Sequence, residues 1–205
     1  MVVIEMITKR DKLIINHMSE YKYATIKQLE KIFFREQQYS YNIARRRMDR
    51  LIAAGYVKTY KEENSNKIIY ILNDKSEKIN PPTPHRMLVL DVLAEMHYLG
   101  MDVKEFTVEK EWMDGKVRSD AFAVCDIQDR RYRFFVEVHI SNNKHNLEKY
   151  TVLYKTGEVQ EYIQSSKYPR VLLVTDRNYR DLGDIEDVDV VKINTELEEF
   201  IKAFL

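Results

Sequence analysis

The chain has 205 residues, 44% of them hydrophobic, enough for a packed core and one or two domains. No apolar run approaches the roughly 18–20 residues of a membrane span, residues 1–12 lack a signal peptide's long apolar stretch, and the single cysteine, Cys125, excludes an internal disulfide and a thiolate zinc site. Net charge is zero, but residues 1–80 hold 16 Lys/Arg against 10 Asp/Glu and residues 81–205 hold 17 against 23. A soluble cytoplasmic protein with no membrane partner is expected, its basic front half facing DNA and its acidic rear half occupied differently.

Three helices and a hairpin are predicted first. Residues 8–20 (TKRDKLIINHMSE) place Leu13, Ile14 and His17/Met18 on one helical face. Thr25 is a good N-cap for TIKQLEKIFF, with Ile26, Leu29, Ile32 and Phe33 inward. Ser40 is expected to cap YNIARRRMDRLIAA, with Ala44, Met48, Leu51 and Ile52 inward and Gly55 as the stop. YVKTYK and KIIYIL then alternate as strands around the polar turn EENSN. This is the order of a winged helix-turn-helix, and the stretch RRRMDRLIAAGYV resembles the end of such a domain's recognition helix.

The inward face of the third helix leaves Tyr41, Asn42, Arg45, Arg46, Asp49 and Arg50 pointing outward, next to Ser40 at the helix start. Arginine forks onto guanine and asparagine pairs with adenine in the major groove, so Asn42, Arg45 and Arg46 are candidates for base contacts. Arg50, Lys27 and, on the wing, Lys67 are candidates for phosphates. The plainer reading is a solvated basic face on a protein-interaction module.

Residues 80–84 (NPPTP) hold three of the four prolines and mark a boundary. The expected domains are 1–79, a linker at 80–86, and 87–205. After the linker come a helix (HRMLVLDVLAEMHYLG), strands FTVEKEW, SDAFAVCDI and RYRFFVEVHI, and a polar helix at 144–164. RVLLVTD, VDVVKI and a closing helix TELEEFIKAFL complete an αβββαβ mixed-sheet domain, α/β within a chain that is α+β overall.

Asp120 opens one strand and Glu137 lies in the next. Adjacent antiparallel strands can bring such carboxylates onto one divalent cation. Glu137 and His139 are two apart and share a strand face. Asp120, Glu137 and His139 are therefore candidate catalytic residues, with Asp120 and Glu137 as candidate metal ligands for Mg²⁺ or Mn²⁺. Glu95, Glu109 or Glu111 could add a third acid. The bland alternative is a hydrogen-bonded, inert pair near a sheet edge, with no cofactor. This pattern is similar to the PD-(D/E)XK nuclease superfamily, with Ser119 in place of the proline and His139 in place of the lysine. Lys144, Lys149 and Tyr150 lie on the following helix, where lysines need no function, and Trp112, His85 and Tyr154 read as structural.

The succession PHRMLVLDVL, VRSDAFAV, FFVEVHISNNKHNLEKYTVLYK and YPRVLLVTDRNYR resembles the replication-relaxation family of plasmids, phages and other mobile elements. The resemblance implies a winged helix-turn-helix followed by a degenerate nuclease-like domain, with Asp120, Glu137, Leu147, Lys149 and Tyr150 at matching positions. Ser119 and His139 depart from it, His139 standing where the family has the strand's second acid. The expected function is sequence-specific double-stranded DNA binding in replication, transfer or transcription control, as a homodimer, with possible replication or transfer proteins as partners. A metal-dependent endonuclease or nickase and a protein-interaction adaptor are the alternatives.

Overall fold

The computed structural model describes residues 7–61, 67–74, 80–140, 146–177 and 187–204. The chain divides into two compact units, Met1–Tyr98 and Leu99–Leu205.

In the first unit α1 (Lys9–Tyr21) begins at a capping box. The Thr8 side chain accepts the Asp11 N–H, and the Asp11 carboxylate accepts the Thr8 N–H. Asp11, Ile14, Met18 and Tyr21 form the buried stripe. Leu13, expected inward, is 57% exposed, because a neighbour of Ile14 is turned about 100° around the helix from it. After β1 (Ala24–Thr25), Thr25 caps α2 (Ile26–Phe33) in a second capping box with Gln28. α3 (Ser40–Ala53) buries Ala44, Met48 and Leu51, with Ile52 half-buried, and stops ahead of Gly55 at φ +80°. β2 (Val57–Lys61) and β3 (Ile68–Leu72) pair antiparallel, and β1 pairs with the other edge of β3, giving the order β1-β3-β2. The expected turn EENSN lies outside the described residues.

α4 (Pro84–Tyr98) starts where the Thr83 hydroxyl accepts the Arg86 N–H, with Pro84 at the first helical position, where its missing donor costs nothing. The proline run predicts that this helix opens the second domain, after a linker ending at residue 86. It instead belongs to the first unit. The reason is local chemistry with α2: Gln28 Nε2 donates to Met87 O at 3.2 Å and Asp91 Oδ1 at 2.7 Å, and Lys31 meets Glu95 at 2.5 Å.

The second unit runs β4 (Asp102–Val108), β5 (Glu111–Trp112), β6 (Val117–Arg118), β7 (Ala121–Ile127), β8 (Arg130–Val138), α5 (Glu148–Thr156), α6 (Glu158–Tyr162), β9 (Arg170–Val174) and β10 (Val190–Ile193). Its main sheet has the order β10-β9-β8-β7-β4, with β4, β7 and β8 antiparallel and β8, β9 and β10 parallel. The polar helix expected at 144–164 is broken at Gly157, whose φ of +74° ends α5 and starts α6. The closing segment forms only a 3-10 turn, Phe200–Phe204. On one sheet face Phe122, Phe135, Val171 and Leu173 cluster with Tyr150, Leu153 and Val159 of the two helices. On the other, Phe134 meets Phe204 with ring centroids 5.1 Å apart. Trp112 is buried edge-on to Phe122 and Phe135, a structural residue.

The described residues make a mixed α/β chain, and no helix among them is long and apolar enough to cross a membrane.

Asp11 is wholly buried, and the Arg47 guanidinium of α3 forms a two-pronged pair with its carboxylate. Burial pushes the Asp11 pKa up, but the hydrogen bonds from Arg47 and Thr8 outweigh it and hold the carboxyl below its usual value. Stability from this pair is present above the unfolded pKa, near 3.8, and is lost as pH falls below it. Arg47→Leu leaves a buried carboxylate without its cation and should cost about 3–5 kcal/mol. Adding Asp11→Asn should recover much of that loss, because no charge remains to be buried. Urea unfolding of the two variants at pH 7 checks it. Equal stability of the single variant and the parent would show that the pair contributes nothing.

Candidate functional site

Two groups of side chains carry chemistry, one in each unit. In the first unit the buried stripe of α3 fixes the opposite face outward. Tyr41, Asn42, Arg45, Arg46 and Arg50 are all exposed, as the helical period requires. Arg46 Nε reaches back to the Asn42 carbonyl at 3.4 Å, so the two residues share one part of the surface. Arg46 and Arg50 also line a cleft of about 470 Å³ together with Lys9, Arg10 and Arg47. The first turn of α1 thus extends the basic face of α3. Sequence periodicity missed Lys9 and Arg10, because their place beside α3 arises only when the two helices pack.

Three other candidates are placed differently. Ser40 is not the N-cap: Tyr39 is, in the left-handed region at φ +60° and with no side-chain cap. The Ser40 hydroxyl donates instead to Glu30 Oε1 at 2.6 Å, tying α3 to α2. A helix start and a nearby acid compete for the same hydroxyl, and one dimension cannot separate them. Lys27 and Lys67 are exposed, but both act, with Lys31, on the Asp91 carboxylate of α4. They belong to that side of the unit as well as to its general positive surface.

In the second unit the antiparallel register of β7 and β8 pairs Ala121 with Val136. Asp120 therefore stands opposite Glu137 at the end of the ladder. Asp120 Oδ2 accepts the Val138 N–H at 2.7 Å, replacing the next backbone acceptor, and the Asp120 carbonyl accepts the Glu109 N–H at 2.8 Å. Ser119 is wholly buried and donates its N–H to Lys110 O at 3.0 Å. A proline at this position would lose that bond.

Glu137 lies on the face covered by α5. Tyr150 lays its ring on Phe135, 4.5 Å between centroids, and its hydroxyl donates to Glu137 Oε1. Lys149 Nζ lies 2.8 Å from the same oxygen and 2.7 Å from the Arg118 carbonyl. Burial raises the Glu137 pKa, repulsion by Asp120 raises it further, and Lys149 and Tyr150 pull it part of the way back. Burial and Glu137 together push the Tyr150 phenol well above its usual value, so it stays a donor. The acid pair is thus served by a cation and a phenol of one helix. Lys149 was named from the sequence without a function of its own, for a lysine on a polar helix shows its partner only once the helix is docked.

His139 does not complete this group. Among the described residues no three His, Cys, Asp or Glu side chains come together to hold a metal. His139 is buried just past β8, its N–H donating to Val174 O at 2.9 Å and its carbonyl accepting the Thr175 hydroxyl at 2.8 Å, so its backbone ties β8 to β9. Glu95 is paired with Lys31 in the first unit, and Glu111 is exposed in β5. Lys144 lies outside the described residues. Two carboxylates would still fit Mg²⁺, which takes one or two from protein and completes its shell with waters and substrate phosphates.

Lys149→Met should destabilise the protein at pH 7 by about 1–2 kcal/mol, a figure discounted for the partial exposure of the lysine. The loss should shrink toward pH 5. Glu137 has a folded pKa above the usual 4.5, so proton uptake on acidification favours the folded state, and more so without Lys149. Urea unfolding at both pH values checks this. A loss that does not change with pH would mean that the lysine acts by packing alone.

No protein-family profile matches the chain, and no curated protein and no solved structure matches it.

Proposed function

We propose that this chain is a sequence-specific double-stranded DNA-binding protein, with the first unit acting as a winged helix-turn-helix and α3 as its recognition helix. The observation that carries the reading is the two-sided character of α3: Ala44, Met48 and Leu51 are buried while Asn42, Arg45, Arg46 and Arg50 are exposed beside a cleft lined by Lys9 and Arg10. Such a face offers base-reading forks flanked by phosphate-binding cations. The resemblance to the replication-relaxation family adds the setting, control of replication, transfer or transcription in a mobile element. A homodimer reading a palindromic site is the arrangement that suits a single small reading head. In this reading the second unit is a nuclease-like scaffold used for dimerisation or partner contact, with Glu137 paired internally to Lys149.

A site selected from random duplexes, followed by gel shift, tests it. Arg45→Ala and Arg46→Ala should each cost about 1–3 kcal/mol of binding, and the parent's affinity should fall steeply with salt. Unchanged affinity in both variants would overturn the reading.

One observation favours a second function, a metal-dependent endonuclease or nickase. Asp120 and Glu137 face each other, and Lys149 supplies the cation that His139 was expected to replace. A divalent cation held by the two acids would supply electrostatic stabilisation and an activated water, while Lys149 would orient Glu137. Supercoiled plasmid incubated with Mg²⁺ or Mn²⁺ should then be nicked, and Glu137→Gln should abolish the nicking. Intact plasmid, or nicking that survives the substitution, removes this function.

A further inference from the structure

The second unit carries an excess of acids, yet one of its surfaces is basic. A pocket of about 430 Å³ is lined by Arg130, Arg131, Arg133, Lys167 and Arg170, with the rings of Tyr132 and Phe204. Its origin is in the sheet register. Arg130–Arg133 pair with β7, but the ladder to β9 begins only at Phe134 and Arg170. The other edge of β8 therefore borders a notch over its first four residues, and side chains from both faces of the strand reach that notch. The acid pair sits at the far end of the same strand, so the notch is separate from it.

The cations are not all used internally. Arg131 is held by Asp126 at 2.8 Å and Arg170 by Asp189 at 2.6 Å. Arg130, Arg133 and Lys167 have no carboxylate at ion-pair distance among the described residues, and Arg130 and Lys167 are exposed. Asp126 and Asp189 offset only part of this charge, Asp126 facing both Arg131 and Arg133; the cations left over repel one another, and a polyanion relieves that repulsion. Tyr132 and Phe204 add ring faces, edge-on to each other with centroids 5.2 Å apart. Arginines interleaved with aromatic rings suit a nucleic acid whose bases are unpaired, because backbone phosphates take the cations and bases stack on the rings. A duplex keeps its base faces covered and is too wide for a notch of this volume. A peptide adding as a strand would find only four residues of open edge.

We infer that this notch binds a single-stranded nucleic acid segment, Arg130, Arg133 and Lys167 holding its phosphates and Tyr132 stacking a base. The inference does not need α3 to read duplex DNA, and the two separate experimentally. The full chain is titrated into a fluorescein-labelled single-stranded oligodeoxynucleotide of mixed sequence, and anisotropy is followed across a salt series. Arg130→Gln/Arg133→Gln/Lys167→Gln should weaken binding at least tenfold and make the slope of log affinity against log salt shallower by about 2, at roughly 0.7 for each phosphate no longer neutralised. Tyr132→Leu should weaken it severalfold without changing the slope. Arg45→Ala/Arg46→Ala should leave this binding intact while lowering duplex affinity. No binding by the parent, undiminished binding by the triple variant, or equal competition by polyglutamate of matched charge would each overturn the inference. Single-strand binding by a parent that binds no duplex would instead count against the reading of α3.

Discussion

The buried pair of Asp11 and Arg47 is the constraint on which the first unit's surface depends. One carboxylate closes the capping box of α1 and also receives the guanidinium of α3. Charges buried this way are held only by well-made geometry, so α3 is locked in rotation as well as in position. The consequence reaches the exposed side: with Arg47 turned in, Arg45, Arg46 and Arg50 turn out, and Lys9 and Arg10 at the start of α1 come alongside. One of the three consecutive arginines thus turns inward and leaves the others exposed.

In the second unit the same role falls to β8, the central strand. It is antiparallel to β7 and parallel to β9, so its two ends face different surroundings. At its end Glu137 meets Asp120, Lys149 and Tyr150 in a half-buried cluster. At its start, before β9 begins, arginines gather around a notch. The middle residues, Phe134, Phe135 and Val136, are buried on both faces and contribute the packing that holds the ends apart. Opposite charges at two ends of one strand explain how an acidic unit can offer a basic surface.

Much of the scaffold was legible in one dimension. Thr25 as a cap, Gly55 as a stop and the strands KIIYIL and RVLLV all act over a few residues, and local backbone chemistry decides them, although Ile69, Tyr70 and Ile71 are all buried where alternation was expected. That Asp120 and Glu137 lie on neighbouring strands was readable, but that they stand opposite each other is decided by the β7–β8 register. Ser40 misled because a hydroxyl beside a helix start has two partners within reach, and Glu30 takes it. For His139 the sequence offered only a shared strand face with Glu137, whereas among the described residues no third ligand side chain joins the two acids.

The sequence by itself determined most of the helices and strands, the outward face of α3 and the placing of the two acids on neighbouring strands. These follow from periodicity, caps and turn chemistry, all of which are local. Only the tertiary structure decided that α4 joins the first unit, that Arg47 is spent on Asp11, that Lys149 neutralises Glu137, and that Arg130 and Arg133 share a notch with Lys167. Each of these joins residues more than thirty positions apart or on separate elements, where burial and charge pairing choose among partners that one dimension leaves equivalent.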